Sequence, residues 1–451
     1  MFRRKIYDEI LSWKKKKAGR YALLIEGARR VGKSTIIEEF VRREYDSYVI
    51  ISFEKAKTEI KDLFKRMDDL DSFFLYLQQL SGTTLHERRS AIVFDEVQLF
   101  PLARQSIKTL VEDGRYDYYE TESLISIKKN VKDILIPSEE DTIRMYPMDF
   151  EEFLWARGDE MTMPFVKGFF EKMAPLGNTM HERVMRQFRE YMITGGMPQA
   201  VQALVSNNSF SSVEEIKKTI LDLYLKDAAK LDGARGNNKA SSILRALPSN
   251  LEKHDKTFSP GVVKRNASVR DYLATVNDLS ESMMINMCFR ITEPSTDQNS
   301  HRDETDFKIY MGDTGLLLTL SFSDLACDMD EIYGELINGN LNVNQGMYFE
   351  NAVAQQLKAS GHGLFFAKFQ HESSDRLQEV DFIIVRDRKP TPIEVKSGRK
   401  SKTHASLDRY MDKYGHASGQ AIVVHSKDLE IDGDVVYIPI YMASLLRSRT
   451  P

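Results

Sequence analysis

GARRVGKS, Gly27–Ser34, follows the apolar run YALLIE and leads into STIIEEFVRREY, and its reading decides the fold. Gly27 and Gly32 permit a tight loop whose backbone N–H groups surround an anion, with Ala28, Arg29, Arg30 and Val31 forming the turn between them. Lys33 then reaches the terminal phosphates of a nucleotide, and the Ser34 hydroxyl, followed by Thr35, can ligate Mg²⁺. The context fits: YALLIEG is a strand by composition and STIIEEFVRREY a helix by periodicity. The N-terminus of that helix adds its own positive dipole.

A second element has the matching chemistry. AIVFDEVQ, Ala91–Gln98, is an apolar strand that closes on two acids. Asp95 suits the group that holds Mg²⁺ through water, and Glu96 the base that polarises an attacking water. An acidic pair often just ends a buried strand. Beside the Gly27 loop it points to a hydrolase, since a small-molecule kinase would not need Glu96. Further strands are expected at SYVIISFE, DYYETES and TIRMYP, alternating with helices. They predict a mostly parallel sheet with ATP and Mg²⁺ at its C-terminal edge. Thr121 and Ser123, at the end of the DYYETES strand, are candidates to sense the γ-phosphate. Arg115 and Arg144 are candidates to act on a neighbouring copy's nucleotide.

These stretches resemble a prokaryotic branch of the AAA-type ATPases, through GARRVGKS, FDEVQ, the TES segment and YPMDFEEFLW in that order. YMITGGMPQAV (Tyr191–Val201), FKIYMGDTGLL (Phe307–Leu317) and GMYFENAVAQQL (Gly346–Leu357) resemble the domain of unknown function that accompanies this ATPase. The likeness covers nearly the whole chain. It departs at Glu122, where relatives usually carry glycine between the threonine and serine. A carboxylate there is expected to add charge and bulk near the γ-phosphate.

The tail carries a second constellation. EVDFIIV, Glu379–Val385, alternates apolar and polar, and RDRKPT turns the chain back into PIEVKS. Such a hairpin puts Glu394 and Lys396 on one face, with Asp381 across from Lys396 and Val380, Phe382, Ile393 and Val395 toward the core. Upstream, Glu350 lies on an amphipathic helix with Phe349, Val353 and Leu357. Carboxylates plus a lysine on one hairpin suit metal-assisted phosphodiester cleavage. The stretch resembles the PD-(D/E)xK nucleases. That implies Asp381, Glu394 and Lys396 as catalytic, with Glu350, Asp381 and Glu394 as metal ligands. The plainer alternative is an exposed charge ladder. Arg386, Arg388, Lys389, Arg399, Lys400 and Lys402 could hold a phosphate backbone.

The middle is helical by pattern, broken by the rigid turn GGMP at Gly195–Pro198. SSILRALPSNL and SVRDYLATVNDL lead into the strand-like MCFRITEP, an order that resembles a winged helix. Ser295–Asp306 reads as a flexible surface loop. The expected organisation is α/β throughout. A P-loop NTPase sheet of AAA type spans 1–155, a helical lid or connecting bundle 156–235, a winged-helix-like region 236–335 and a small restriction-endonuclease-like domain 336–451.

The chain of 451 residues, 42% apolar and 29% charged, excludes a disordered or single-core protein. Its net charge of −4 leaves any nucleic-acid surface a local matter. The two cysteines, Cys288 and Cys327, read as reduced thiols. The N-terminus lacks a signal-peptide h-region, and no apolar run reaches membrane-spanning length, so a cytoplasmic location is expected. Phe2, Ile6, Ile10 and Trp13 form an amphipathic opening helix, with a membrane-surface role as the lesser reading. The partners implied are ATP, DNA or another nucleic acid, and further copies of the chain, without a membrane. The leading function is an ATP hydrolase coupled to a nuclease-like module. The alternative is a nucleotide-gated DNA- or protein-binding switch with a non-cleaving tail. A third is a nuclease that ATP only licenses.

Overall fold

Leu23, Leu24 and Ile25 of strand β1 (Ala22–Gly27) are wholly buried, because β1 runs between two parallel neighbours inside a sheet. Each such side chain contributes roughly 2 kcal/mol by leaving water. The molecule is described by a computed structural model over residues 1–123, 137–231, 238–323, 329–339, 345–372, 374–398 and 402–447. Two compact units result, Met1–Tyr146 and Pro147–Pro451.

The first unit contains α1 (Ile6–Lys17), β1, α2 (Lys33–Glu44), β2 (Ser47–Ser52), α3 (Thr58–Leu63), α4 (Leu70–Ser81), β3 (Ser90–Asp95), α5 (Pro101–Asp113), β4 (Asp117–Ser123) and β5 (Glu140–Met145). Its strands are all parallel, in the order β2-β3-β4-β1-β5. Every strand expected from the sequence is present. One face of the sheet packs Phe53, Phe64, Phe73 and Phe94 edge-on against one another. On the other, Trp13 of α1 and Phe40 of α2 meet Tyr119. The apolar stripe of α1 is therefore a packing face: Ile6, Ile10 and Trp13 are buried, and Trp13 Nε1 donates to Asp141 Oδ2 at 2.9 Å.

The second unit opens with helix Phe150–Ala156, started by a reciprocal capping box between Asp149 and Glu152. Phe150 packs on Phe188 and Tyr191, which moves the boundary expected after residue 155 back to Tyr146. Helices Thr162–Glu171, Asn178–Thr194, Pro198–Asn207, Phe210–Leu231, Lys239–Leu251 and Arg270–Glu281 follow. After them come β6 (Ile285–Ile291), β7 (Arg302–Met311), helices Thr314–Ser321, Met329–Asn338 and Gln345–Ala359, β8 (Phe365–His371), β9 (Ser374–Arg386) and β10 (Lys389–Lys396). Helix Ala405–Tyr414, β11 (Ala421–His425), β12 (Glu430–Asp432) and β13 (Val435–Pro439) complete the unit.

Its eight strands run in the order β12-β13-β11-β10-β9-β8-β6-β7. Because β6 pairs in parallel with β8, residues 236–335 and 336–451 share one sheet, and the boundary expected at 335 crosses it. The last five residues of the expected flexible loop at Ser295–Asp306 are strand, since β7 begins at Arg302. Helix Gln345–Ala359 is buried on all sides from Met347 to Leu357, not amphipathic.

The three motifs of this unit meet in one joint. Asp313, almost fully buried, accepts from Gly196 N at 2.6 Å and from Leu316 N at 3.0 Å, so one carboxylate both caps helix Thr314–Ser321 and holds the GGMP turn. A Cβ at Gly196 would sit 2.2 Å from Met148 O, and one at Gly315 2.6 Å from Gly195 N, so this approach requires glycine. Gln355 closes the joint, donating to Tyr191 Oη at 3.2 Å and accepting from Thr314 N at 2.8 Å. Replacing Asp313 by alanine strands two buried N–H groups, so Asp313→Ala should cost about 2–5 kcal/mol. Urea denaturation followed by circular dichroism checks this, and a loss under about 1 kcal/mol would mean that the joint is not rigid.

Candidate functional site

At the C-terminal ends of β1, β3 and β4 the chain assembles one polar cluster. The loop after β1 turns through Arg30 at φ +71° and Gly32 at φ +100°. A Cβ at Gly27 would approach Met145 O to 2.6 Å. Ala28 and Val31 are buried beneath the loop, while Ser34 and Thr35 are exposed on the first turn of α2. Lys33 Nζ donates to Gly27 O and Ala28 O, each at 3.0 Å, folding back over the loop. Burial pushes the Lys33 ammonium down to about 8, against the pull of Glu96 and Asp95. The loop is braced from α1's end of the chain: Arg4, buried, donates to Val31 O at 3.0 Å and Tyr146 O at 2.7 Å. Sequence reasoning missed Arg4, because a lone arginine ahead of a helix carries no signal.

Asp95 ties the elements together, its Oδ1 accepting from Ser34 Oγ at 2.5 Å and Thr121 Oγ1 at 2.7 Å. Glu96 sits in the left-handed region, at φ +55°, a conformation that costs a non-glycine residue roughly 1–3 kcal/mol. Its N–H donates to Thr121 Oγ1 at 3.0 Å, and its Oε1 accepts from Ser123 Oγ at 3.0 Å. Gln98, buried, donates Nε2–H to the other carboxylate oxygen. Thr121 and Ser123 thus hold the two acids, instead of standing free as γ-phosphate sensors. Gln98 was also missed, since a glutamine two residues after a strand end has no distinctive spacing.

Glu122 corrects the expectation drawn from its departure. It alternates to the face of β4 opposite Thr121 and Ser123, where Arg104 of α5 donates to it at 2.9 Å. Burial lifts its carboxyl to about 7 against the opposing pull of Arg104. Arg104 also pairs with Glu140 at 2.8 Å. Neither candidate trans-acting arginine is unengaged: Arg115, before β4 begins, bridges Asp113 and Asp71, and Arg144 pairs with Glu26 at 3.5 Å.

The tail hairpin has the expected strands, joined by Asp387 and Arg388 at φ +49° and +60°, as a two-residue type I′ turn requires. The register differs from expectation. Phe382 faces Ile393, which carries Asp381 to Glu394 instead of Lys396. Against β8 the pairing slips between Val380 and Ile383, a bulge at Asp381–Phe382. Val380 and Ile383 face one core, while Phe382 meets Tyr310 on the other side. Asp381 shares that second side, with its Oδ1 3.8 Å from Lys308 Nζ. A bulge re-aims side chains in this manner.

Lys396 Nζ donates to Glu394 Oε1 at 2.7 Å, as the shared face implies. Asp381 Oδ2 accepts from Val395 N at 2.8 Å. Burial, then Asp381, raises the Glu394 carboxyl, and burial, then Glu350, raises Asp381. Burial would raise Glu350 as well, but Lys308 and Lys256 outweigh it and hold it low. The expected metal set of Glu350, Asp381 and Glu394 is not formed as such. Among the described residues no group of three or more His, Cys, Asp or Glu is placed to hold a metal ion. Lysines stand between the carboxylates instead, with Lys308 Nζ 2.7 Å from Glu379 and 3.4 Å from Glu350.

Of the nearby basic residues, Lys402 pairs with Glu430 and Asp432, while Arg399 and Lys400 lie outside the described residues. Cys288 is a buried free thiol, and Cys327 also lies outside them. Among the described residues no helix is long and apolar enough to cross a membrane.

Residues 19–154 match the AAA domain family. Residues 185–326 and 345–442 match two domains of unknown function, DUF8612 and DUF4143. No curated protein matches the chain. Among solved structures it is similar to the Walker-type ATPase PABY2304 of Pyrococcus abyssi, at 16% identity over 71% of this chain and 96% of that one, with a TM-score of 0.41. It is also similar to AMPPCP-bound DnaA from Aquifex aeolicus, at 12% identity over 61% of this chain and 88% of that one, with a TM-score of 0.29. With the RuvB Holliday junction branch migration motor of Thermotoga maritima the identity is 10%, over 63% and 89% of the two chains, and the TM-score 0.28. The family match and the parallel sheet make the first unit an AAA-type P-loop domain.

Since Glu122 answers Arg104 behind the sheet, Glu122→Ala should lower stability by up to about 3 kcal/mol, Arg104 keeping Glu140 as its partner. Affinity for ATP should stay within about twofold of wild type, because the removed charge does not face the loop. Calorimetric titration with ATP, alongside thermal melting, decides. Tighter binding with unchanged melting would place Glu122 at the phosphates.

Proposed function

We propose that this protein binds ATP and hydrolyses it at the Gly27–Thr35 loop, and that nucleotide state governs a nuclease-like, nucleic-acid-binding second unit. The observation that carries the reading is the held pair Asp95–Glu96, locked by Ser34, Thr121, Ser123 and Gln98 at the open ends of β1, β3 and β4. Lys33 is a buried ammonium whose hydrogen-bond partners among the described residues are carbonyl oxygens. A polyphosphate adds direct charge-assisted partners to the pull that Glu96 and Asp95 exert from a distance.

Ser34 and Asp95 fit the pair that would hold Mg²⁺, being 2.5 Å apart and at the loop's mouth. When bound, that ion would neutralise charge on the phosphate oxygens. Glu96 takes the proton of the attacking water, and Ser123 and Gln98 fix which way its carboxylate points. The N-terminus of α2 and Lys33 bind and orient the phosphates.

For the second unit, the element order supports a winged-helix-like reading. Helix Lys239–Leu251 is followed by Thr257 bridged to Lys308, by helix Arg270–Glu281 and then by the β6–β7 hairpin. Helix Gln345–Ala359, the β8–β9–β10 meander, helix Ala405–Tyr414 and parallel β11 support the nuclease-like reading, by analogy of fold. The lysines among the carboxylates favour the form in which this module binds and does not cut.

Lys33→Ala should weaken ATP binding at least tenfold, because the phosphates lose a fixed charge. Glu96→Gln should leave binding intact and slow phosphate release by roughly 10²–10⁴-fold. Fluorescent-nucleotide titration and steady-state phosphate release separate the two. Wild-type turnover in Glu96→Gln would remove Glu96 as the base.

A further inference from the structure

The tail's carboxylates converge on a lysine. Lys308, on β7, is wholly buried, and its Nζ lies 2.7 Å from Glu379 Oε1, 3.4 Å from Glu350 Oε1 and 3.8 Å from Asp381 Oδ1. Two elements send these acids to one point: helix Gln345–Ala359 supplies Glu350, and bulged β9 supplies Glu379 and Asp381. The remaining oxygens of the three are also engaged. Lys256 holds Glu350 Oε2, Lys368 stands 3.7 Å from Glu379 Oε2, and Val395 N donates to Asp381 Oδ2. Tyr310 adds a hydroxyl to Glu350, the Phe366 ring lies 5.0 Å from the ammonium, and Cys288, Glu394 and Lys256 are further titratable groups that feel its charge. A divalent ion needs carboxylate oxygens at roughly 2.0–2.6 Å, turned toward it. Here the oxygens surround an ammonium at hydrogen-bond and ion-pair distances, and a buried lysine with this many partners has no solvent to retreat to. Taking such a charge out of water is costly unless acids surround it, as they do.

We propose that Lys308 is a built-in cation occupying the position a divalent metal would need, so that the tail works without metal, and that removing its charge converts Glu350, Glu379 and Asp381 into a divalent-cation site. The inference rests on reading the Asp381–Glu394–Lys396 hairpin as nuclease-like, and it turns that module into a metal-independent binding unit.

The test uses the full chain without nucleotide, melted with and without millimolar Mn²⁺, as wild type, Asp381→Asn, Lys308→Gln and Lys308→Gln/Asp381→Asn. Glutamine keeps length and hydrogen bonding while removing the charge. Wild type should show no Asp381-dependent shift. Lys308→Gln should melt roughly 3–6 °C higher in Mn²⁺, and the added Asp381→Asn should abolish that gain. No Mn²⁺ response in folded Lys308→Gln overturns the proposal. A wild-type gain that single Asp381→Asn removes overturns it too, and this arm decides even if Lys308→Gln does not fold. DNA cleavage is followed on the same samples. Mn²⁺-driven cutting by wild type that Asp381→Asn removes would overturn the built-in cation while upholding the nuclease reading. ATP turnover reports separately on the first unit.

Discussion

One carboxylate oxygen, Oδ1 of Asp95, accepts hydrogen bonds from Ser34 on α2 and from Thr121 on β4, and through them joins the three segments that make the nucleotide site. Each bond involves an ionised acceptor, and such bonds are shorter and stronger than neutral ones. Their consequence is positional. With β3 and β4 locked at their ends, Glu96 is forced into a left-handed turn, and Ser123 and Gln98 can then close on its two oxygens. The sheet supplies the rigidity beneath: parallel strands buried on both faces cannot slide without exposing apolar residues such as Leu24 and Phe94.

The second unit meets a different constraint, that of burying many charges together. Lys256, Lys308, Lys368 and Lys396 stand among Glu350, Glu379, Asp381 and Glu394, so charge is largely compensated inside the cluster. One atom of the set, Glu394 Oε2, is buried without a hydrogen-bond partner. The raised proton affinity of Glu394 follows from that isolation together with its proximity to Asp381. Its contribution to the folded unit is therefore lost as pH rises from the ordinary glutamate range up through the raised value, because over that window the unfolded chain has already given up the proton that the folded one retains.

The first unit was largely legible in the sequence. Of its strands, β1 and β3 are short apolar runs that end in a glycine and an acid, and the motif spacing places Lys33, Ser34, Asp95 and Glu96 together. What escaped were contacts between elements. Arg4 braces the loop from 27 residues upstream, and Gln98 holds Glu96 only because the chain turns left-handed there. Simple alternation along β4, in contrast, already implied that Glu122 faces away from Thr121. In the tail, the hairpin and the Glu394–Lys396 pair were legible, but the bulge at Asp381–Phe382 shifted the cross-strand partner. Lys256 and Lys308 lie more than 70 residues before the hairpin, and no periodicity could have brought them to it.

The central claim, that the bracket around Asp95 and Glu96 is a hydrolytic centre, is tested most directly by steady-state ATP turnover of the Ser123→Ala/Gln98→Leu double variant. Both changes leave Glu96 in place and remove only what holds its carboxylate. The account predicts a fall in kcat of roughly tenfold or more, with KM for ATP within about twofold of wild type. A wild-type kcat in the double variant would contradict it.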